Sequence, residues 1–318
     1  MLSYLVILLD DSSTSFCNYE NRKQPRLIDL ETLNAGIIFG MKENLAIQFV
    51  YPDYELPTEY MSLIDTIDHS NISSIRNHSV YSSDLLVFND FRDFICLQLN
   101  DSPKPAYVVR IGKKDFFENC QSLLKNINFV SRLNIIITDV ETFNDADFKL
   151  YAEILDKMVE SVFESYNSGH NPQINILTDR LLLDKANNCN AGVDSITLAP
   201  NGRFYVCPAF YFEDEDNNCG DVVNGLNIKN KQLLRIDHAP ICRICDAYHC
   251  KRCVFLNQKM TWDINTPSHE QCVVSHIERN ASRKLLVKLE ENGLIVPTKE
   301  IKEIIYLDPF DLINTKDF

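Results

Sequence analysis

The chain has 318 residues, 45% of them hydrophobic, and its 31 Lys and Arg against 45 Asp and Glu give a formal charge of −14. That length buries a sizeable core, enough for one large domain with one or two small ones. The acidic balance argues against a general binder of nucleic acid or anionic membrane, which needs a basic surface to neutralise phosphate, and no apolar run reaches the length of a membrane span.

In chain order, strands and helices alternate over the first half. Residues 2–9, LSYLVILL, form a continuous apolar run that meets Asp10-Asp11; with no basic flank before it, it reads as a buried first strand and not as a signal peptide. Asp29 is the expected N-cap of a helix through about Leu45, with Leu30, Leu33, Ile37 and Met41 on one face. AIQFVYP follows as a second strand. LLVF near residue 86, AYVVRI near 107 and LNIIIT near 135 continue the alternation, with a helix at 115–127 and a longer one at about 145–167. The longer helix carries Phe148, Tyr151, Leu155, Met158, Val162 and Tyr166 at helical spacing and stops at Gly169. INILT near 175 is a further strand. Strands apolar throughout and alternating with helices predict parallel pairing covered by helices, hence an α/β barrel or partial barrel.

From about residue 186 the texture changes to short strands, Asn/Gly turns and cysteines. ITL and RFYV flank Pro200-Asn201-Gly202 and predict a hairpin whose Asn-Gly supplies positive φ angles, with Cys207 ending its second strand. The acidic run Glu213 to Asp216 reads as a solvated loop. A helix, RKLLVKLEEN, closes at Gly293, and another is expected near 299–305.

Eight of the eleven cysteines lie between Cys189 and Cys272. Cys242, Cys245, Cys250 and Cys253 form two CxxC pairs in CRICDAYHCKRC, and a CxxC turn lets two thiolates reach one metal. Only four residues separate the pairs, fewer than zinc knuckles normally have, so each pair is expected to find partners elsewhere. Between Lys229 and Lys259 seven cations (Lys229, Lys231, Arg235, Arg243, Lys251, Arg252, Lys259) face two acids, Asp237 and Asp246, a local inversion suited to an anionic thiolate group. Zinc competes with iron–sulfur chemistry as the occupant, because four-cysteine sites also suit it. Clustered thiols with basic neighbours fit a reducing compartment, and the cytoplasm is the expected location.

Cys189, Gly202 four residues before Cys207, the compact run from Cys242 to Cys253, and the lone Cys272 in SHEQC resemble the seven-cysteine motif of SPASM domains, auxiliary iron–sulfur modules of radical-SAM peptide maturases. The run departs from that motif by one residue in each of its last two intervals, with four and two residues where the family has five and three. The resemblance implies two 4Fe–4S clusters with crossed pairing: Cys242, Cys245, Cys250 and Cys272 on one, and Cys189, Cys207 and Cys253 on the other, with Cys219 of NNCGD as an optional fourth ligand. His249 in DAYHC, and His269 and His276 on either side of Cys272, suit supporting hydrogen bonds better than ligation.

Radical-SAM enzymes carry CxxxCxxC after the first strand. Here SFCNYENRKQ retains Cys17 but has Asn21 and Gln24 at the other two positions, and YPDYELP stands where the family has a glycine-rich turn against SAM. SAM binding and reductive SAM cleavage by this chain alone are therefore not expected. Asp10, Asp11 and Glu20 near the barrel top are read as polar loop residues before acid–base catalysts. SFCNYEN, GIIFGMKENLAIQFVYPDYELP and HEQCVVSHIERNASRKLL together resemble the CXXX repeat peptide maturases. This implies a degenerate radical-SAM-like barrel over 1–185, a SPASM-like domain over 186–275 and a helical extension over 276–318. It also implies a cysteine-rich ribosomal peptide as substrate and a true radical-SAM enzyme as partner. The chain is then either a maturase itself, an accessory that presents the peptide, or a zinc-stabilised adaptor.

Overall fold

The computed structural model describes residues 2–22, 24–77, 81–96, 105–127 and 130–294. In chain order the strands and helices are β1 (Tyr4–Leu8), α1 (Leu30–Lys42), β2 (Ala46–Val50), α2 (Thr58–Ile64), β3 (His69–Ser74), β4 (Leu85–Phe88), α3 (Phe91–Ile95), β5 (Ala106–Ile111), α4 (Lys113–Ile127), β6 (Arg132–Ile137), α5 (Asp145–Asn167), β7 (Gln173–Ile174) and α6 (Asp179–Leu182). They continue with β8 (Ser195–Leu198), β9 (Phe204–Tyr205), α7 (Pro208–Glu213), β10 (Gly220–Asp221), β11 (Gly225–Leu226), α8 (Val254–Thr261) and α9 (His269–Glu291). The helix expected near 299–305 lies outside the described residues. The chain forms two compact units, one of residues 1–89 with 190–235, the other of 90–189 with 236–318. Both are discontinuous in sequence, and α9 runs without a break across residues 275 and 276.

In the first unit the strands pair in the order β4-β3-β2-β1-β8-β9, parallel except for the β8–β9 hairpin. The parallel pairing read from the apolar runs is present: β1 bonds β2 with Leu5 opposite Ile47, and β8 with Ile7 opposite Leu198. Leu5, Ile7, Phe49, Ile196, Leu198 and Phe204 form the buried core beneath α1. Asp29 caps α1 by accepting from the Thr32 N–H at 2.8 Å. The buried face of α1, however, is Leu33, Gly36, Ile37 and Gly40, while Met41 is exposed. The hydrophobic spacing located Leu33 and Ile37 correctly but set the rest of the face on the exposed Leu30 and Met41, because close packing on the sheet requires glycine: a Cβ on Gly36 would lie 2.3 Å from Leu198 Cδ2. The β8–β9 turn uses positive φ only at Gly202, +77°; Asn201 instead donates its side-chain amide to the Tyr205 hydroxyl at 2.7 Å. Neither β3 nor α2 was foreseen, since HSNISS is too polar to read as a strand.

In the second unit β5, β6 and β7 pair in parallel, and α5 has the span expected of it, opened by an Asn144–Asp147 capping box. INILT is a strand only at its start. The Asn175 amide bonds both the N–H and the C=O of Ile135, at 2.8 Å each, and Thr178 accepts from the Ile174 N–H at 2.6 Å, which turns the chain into α6. Helix α9 begins well before RKLLVKLEEN, at His269, where Ser268 and Gln271 form a second capping box. It packs along α5 through Lys284–Asp156 at 2.6 Å and a buried Tyr151–Glu278 bond at 2.7 Å. No helix among the described residues is long and apolar enough to cross a membrane.

Candidate metal centre

In the second unit the run from Cys242 to Cys253 is almost free of regular structure, with one 3₁₀ turn at Cys242–Ile244. Two tight turns set its sulfurs. The Cys245 sulfur accepts from the Ala247 N–H at 3.4 Å, and the Cys250 sulfur from the Arg252 N–H at 3.5 Å, the contacts a thiolate of a CxxC knuckle uses to spread its charge. A cavity of ≈ 40 Å³ is lined by Cys242, Cys245, Cys250 and Cys272, together with Arg252 and His276. Cys253 does not line it; it caps the start of α8. Cys272 reaches the cavity from the first turn of α9.

The electrostatics of this pocket come partly from residues singled out in the sequence, Arg252, Asp246 and His249, and partly from residues that were not, Arg180, Arg279 and Glu278. Of the seven cations between 229 and 259 only Arg252 is buried, and it hydrogen-bonds Cys242. Two further buried arginines, Arg180 of α6 and Arg279 of α9, close on Asp246 inside the cysteine run. Arg180 Nε donates to the Asp246 carbonyl at 2.9 Å, and Arg279 Nη1 to its carboxylate at 3.0 Å. Two guanidinia on one carboxylate, with Arg252 at Cys242, put positive charge near the sulfurs, which favours an anionic group there. His249 is also buried, with Nε2 3.1 Å from Glu278, whose other oxygen accepts from Tyr151. Its Nδ1 has no hydrogen-bond partner among the described residues.

Burial pushes the Cys242 and Cys245 thiols up to about 12, repulsion from Cys250 adding to the effect and the Arg252 and Ala247 contacts opposing it. Burial raises Cys250 as well. Without a cation these sulfurs keep their protons, and a bound metal would displace them. Among the described residues no three His, Cys, Asp or Glu side chains are gathered so as to hold a single metal ion. The donor set, four sulfurs around one cavity with N–H and guanidinium partners, fits a polynuclear cluster, in which each thiolate serves its own iron.

The remaining sequence candidates do not line this cavity. Cys189 is exposed, and its N–H bonds the Lys251 carbonyl at 2.9 Å, two residues before Cys253. Cys207 and Cys219 belong to the first unit. Cys207 does not end a strand but opens α7, with Pro208 in the first turn, and Cys219 is part of the hydrophobic core, its thiol pushed up to about 12 by burial. His269 packs edge-on against Phe148.

At the end of β1 the loop serves itself. Asn21 donates from Nδ2 to the carbonyls of Ser12 at 2.8 Å and Ser13 at 3.0 Å. Gln24 and Glu20 are exposed, and Cys17 is half-buried. Asp10 accepts from Ser12 and from Tyr54 Oη at 2.9 Å, and Asp11 from Tyr211, Arg22 and Arg26. Glu215, placed by the sequence in a solvated loop, bridges Arg22 and Arg26. Their hydrogen bonds hold its carboxyl below the ordinary range against the opposing effect of burial.

With this geometry in view, the fold is mixed α/β with largely parallel strands, the class expected from the sequence. The chain is similar to solved structures of anSMEcpe. The hexahistidine-tagged protein with bound AdoMet matches at 13% identity and TM-score 0.63, covering 92% of this chain and 96% of that one. The native protein with bound AdoMet and Cp18Cys peptide matches at 12% and 0.64, covering 92% and 99%, and the one with Kp18Cys peptide at 11% and 0.62, covering 91% and 99%. No protein-family model and no curated protein matches.

Proposed function

We propose that this protein acts in the maturation of a cysteine-rich peptide of the CXXX-repeat kind, within a reducing compartment, and that its cysteines hold iron–sulfur clusters. The observation that carries the reading is the cavity at which Cys242, Cys245, Cys250 and Cys272 meet beside Arg252. These four would hold one 4Fe–4S cluster. Cys189, Cys207 and Cys253 would hold a second, with Cys219 left out because it is packed in a hydrophobic core. Bound there, clusters supply electron relay and, where a thiolate position is open, an iron able to take a substrate sulfur. The peptide assignment rests on the motif resemblance and is supported by the likeness to anSMEcpe, solved with Cp18Cys and Kp18Cys peptides.

Within this reading the radical step falls to a partner enzyme. Asn21, at a position where CxxxCxxC has a ligand, spends its amide on Ser12 and Ser13, which favours the accessory role over independent SAM cleavage. Anaerobic reconstitution followed by iron, acid-labile sulfide and zinc analysis tests the site: iron with matching sulfide is expected, and zinc without sulfide would favour the adaptor. Incubation with reductant, SAM and a CXXX-repeat peptide tests the role. No 5′-deoxyadenosine is expected from the chain alone, whereas its formation would make the protein a SAM-cleaving enzyme in its own right.

A further inference from the structure

On α9, Cys272, Ser275, His276 and Arg279 stand at i, i+3, i+4 and i+7, one face of a helix. Each meets the cysteine run or its cavity. Cys272 lines the cavity, Ser275 hydrogen-bonds Cys250, Arg279 holds Asp246, and His276 Nε2 lies 3.2 Å from the Cys245 sulfur. His276 is 1% exposed, so bulk water does not compete for that contact.

We infer that His276 is a positioning residue of this site, donating its Nε2–H to the Cys245 sulfur and thereby raising the reduction potential of the cluster held by Cys242, Cys245, Cys250 and Cys272. The inference rests on the iron–sulfur reading of those four residues. A metal-bound thiolate carries no proton, so the hydrogen in the Cys245–His276 contact has to come from the ring. With Nε2 directed at the sulfur, that nitrogen bonds the ligand in place of the metal. Donation withdraws electron density from the sulfur and stabilises the added electron of the reduced cluster, since hydrogen bonds to ligand sulfurs are among the factors that set cluster potential. The Ala247 N–H supplies a second donor to the same sulfur and cannot be removed without changing the backbone, so the imidazole is the contact that substitution can separate.

The test uses the full chain, reconstituted anaerobically, with wild type, H276F and H276Q compared by iron and sulfide content and by EPR-monitored redox titration. H276F should keep wild-type iron and sulfide and shift one cluster to a more negative potential; H276Q, whose amide can donate, should lie between the two. An unchanged potential in H276F at full iron content overturns the inference, and so does loss of one cluster's iron in folded H276F, which would make His276 a ligand. Wild type labelled with ¹⁵N-histidine gives a reading even if H276F does not fold. A weak nitrogen coupling to one reduced cluster is expected, and either a strong coupling, as of a metal-bound nitrogen, or none overturns it. Absence of acid-labile sulfide from the wild type removes the iron–sulfur reading itself, before any variant is compared.

Discussion

The loop after β1 and the cysteine run from Cys242 to Cys253 are both nearly devoid of regular structure, yet they satisfy their polar groups in opposite ways. In the first, most partners are the loop's own, with two tyrosines added from outside it: Asn21 holds two carbonyls, Asp10 takes Ser12 and also Tyr54, and Asp11 takes Arg22 and Arg26 and also Tyr211. In the second, Asp246 is held by Arg180 of α6 and Arg279 of α9 and His249 Nε2 meets Glu278 of α9, while the sulfurs line a cavity. A loop that consumes its own donors is a structural closure; one whose polar groups are anchored from outside can present soft ligands to an added group.

The largest effect should come from cutting that anchor. Asp246→Ala leaves Arg180 and Arg279 buried without their carboxylate and should cost about 3–5 kcal/mol in urea unfolding, with the loss of cavity-bound iron. Wild-type stability in this variant would mean the cysteine run is not held from α6 and α9. Next, Cys272→Ala should remove up to half of the reconstituted iron and Cys189→Ala the other part; equal loss from both clusters in each variant, resolved by EPR, would dissolve the division into two sites. The cluster at Cys189 should bleach first in air, since Cys189 is exposed and its set contains three thiolates.

On the other side of the comparison, Asn21→Ala strands two loop carbonyls and should cost about 1–3 kcal/mol in the same unfolding assay, leaving iron content untouched. Iron loss in this variant would show that the β1 loop is more than a closure. The smallest effect lies where that loop ends. Asp29 is held below its ordinary range first by the Thr32 N–H and then by the Thr32 hydroxyl, so the unfolded chain takes up its proton before the folded one does. Its contribution is present above the ordinary aspartate range and disappears as pH falls through the depressed value. Asp29→Ala should therefore cost about 1 kcal/mol near neutrality, and the difference from wild type should vanish on acidification; a constant difference would show that the cap does not depend on its charge.

Much of the frame was legible. Apolar runs located β1, β2, β4, β5 and β6, and the Asp29 cap and the period of Tyr151, Leu155, Met158 and Val162 located α1 and α5. The misses share one cause, namely that residue choice can replace or disguise the expected pattern: β3 is mostly serine, asparagine and histidine, Asn175 takes over a strand ladder, and Gly36 and Gly40 are half of the buried face of α1. At the site, a signal was present and unread. Ser268 with Gln271, followed by Cys272, Ser275, His276 and Arg279, spells a capped helix with one face that meets the cysteine run.

What the sequence determined by itself is chemistry and local period: thiols in CxxC turns, Asn21 and Gln24 in the loop after the first strand, and the largely apolar runs of β1, β2, β4, β5 and β6. Those properties belong to neighbouring residues, and covalent spacing transmits them. Only tertiary structure decided which thiols face one cavity and which cations surround it. Arg180 and Arg279 reach Asp246 from 66 and 33 residues away, and an interaction at such separation exists only once packing has brought the helices together.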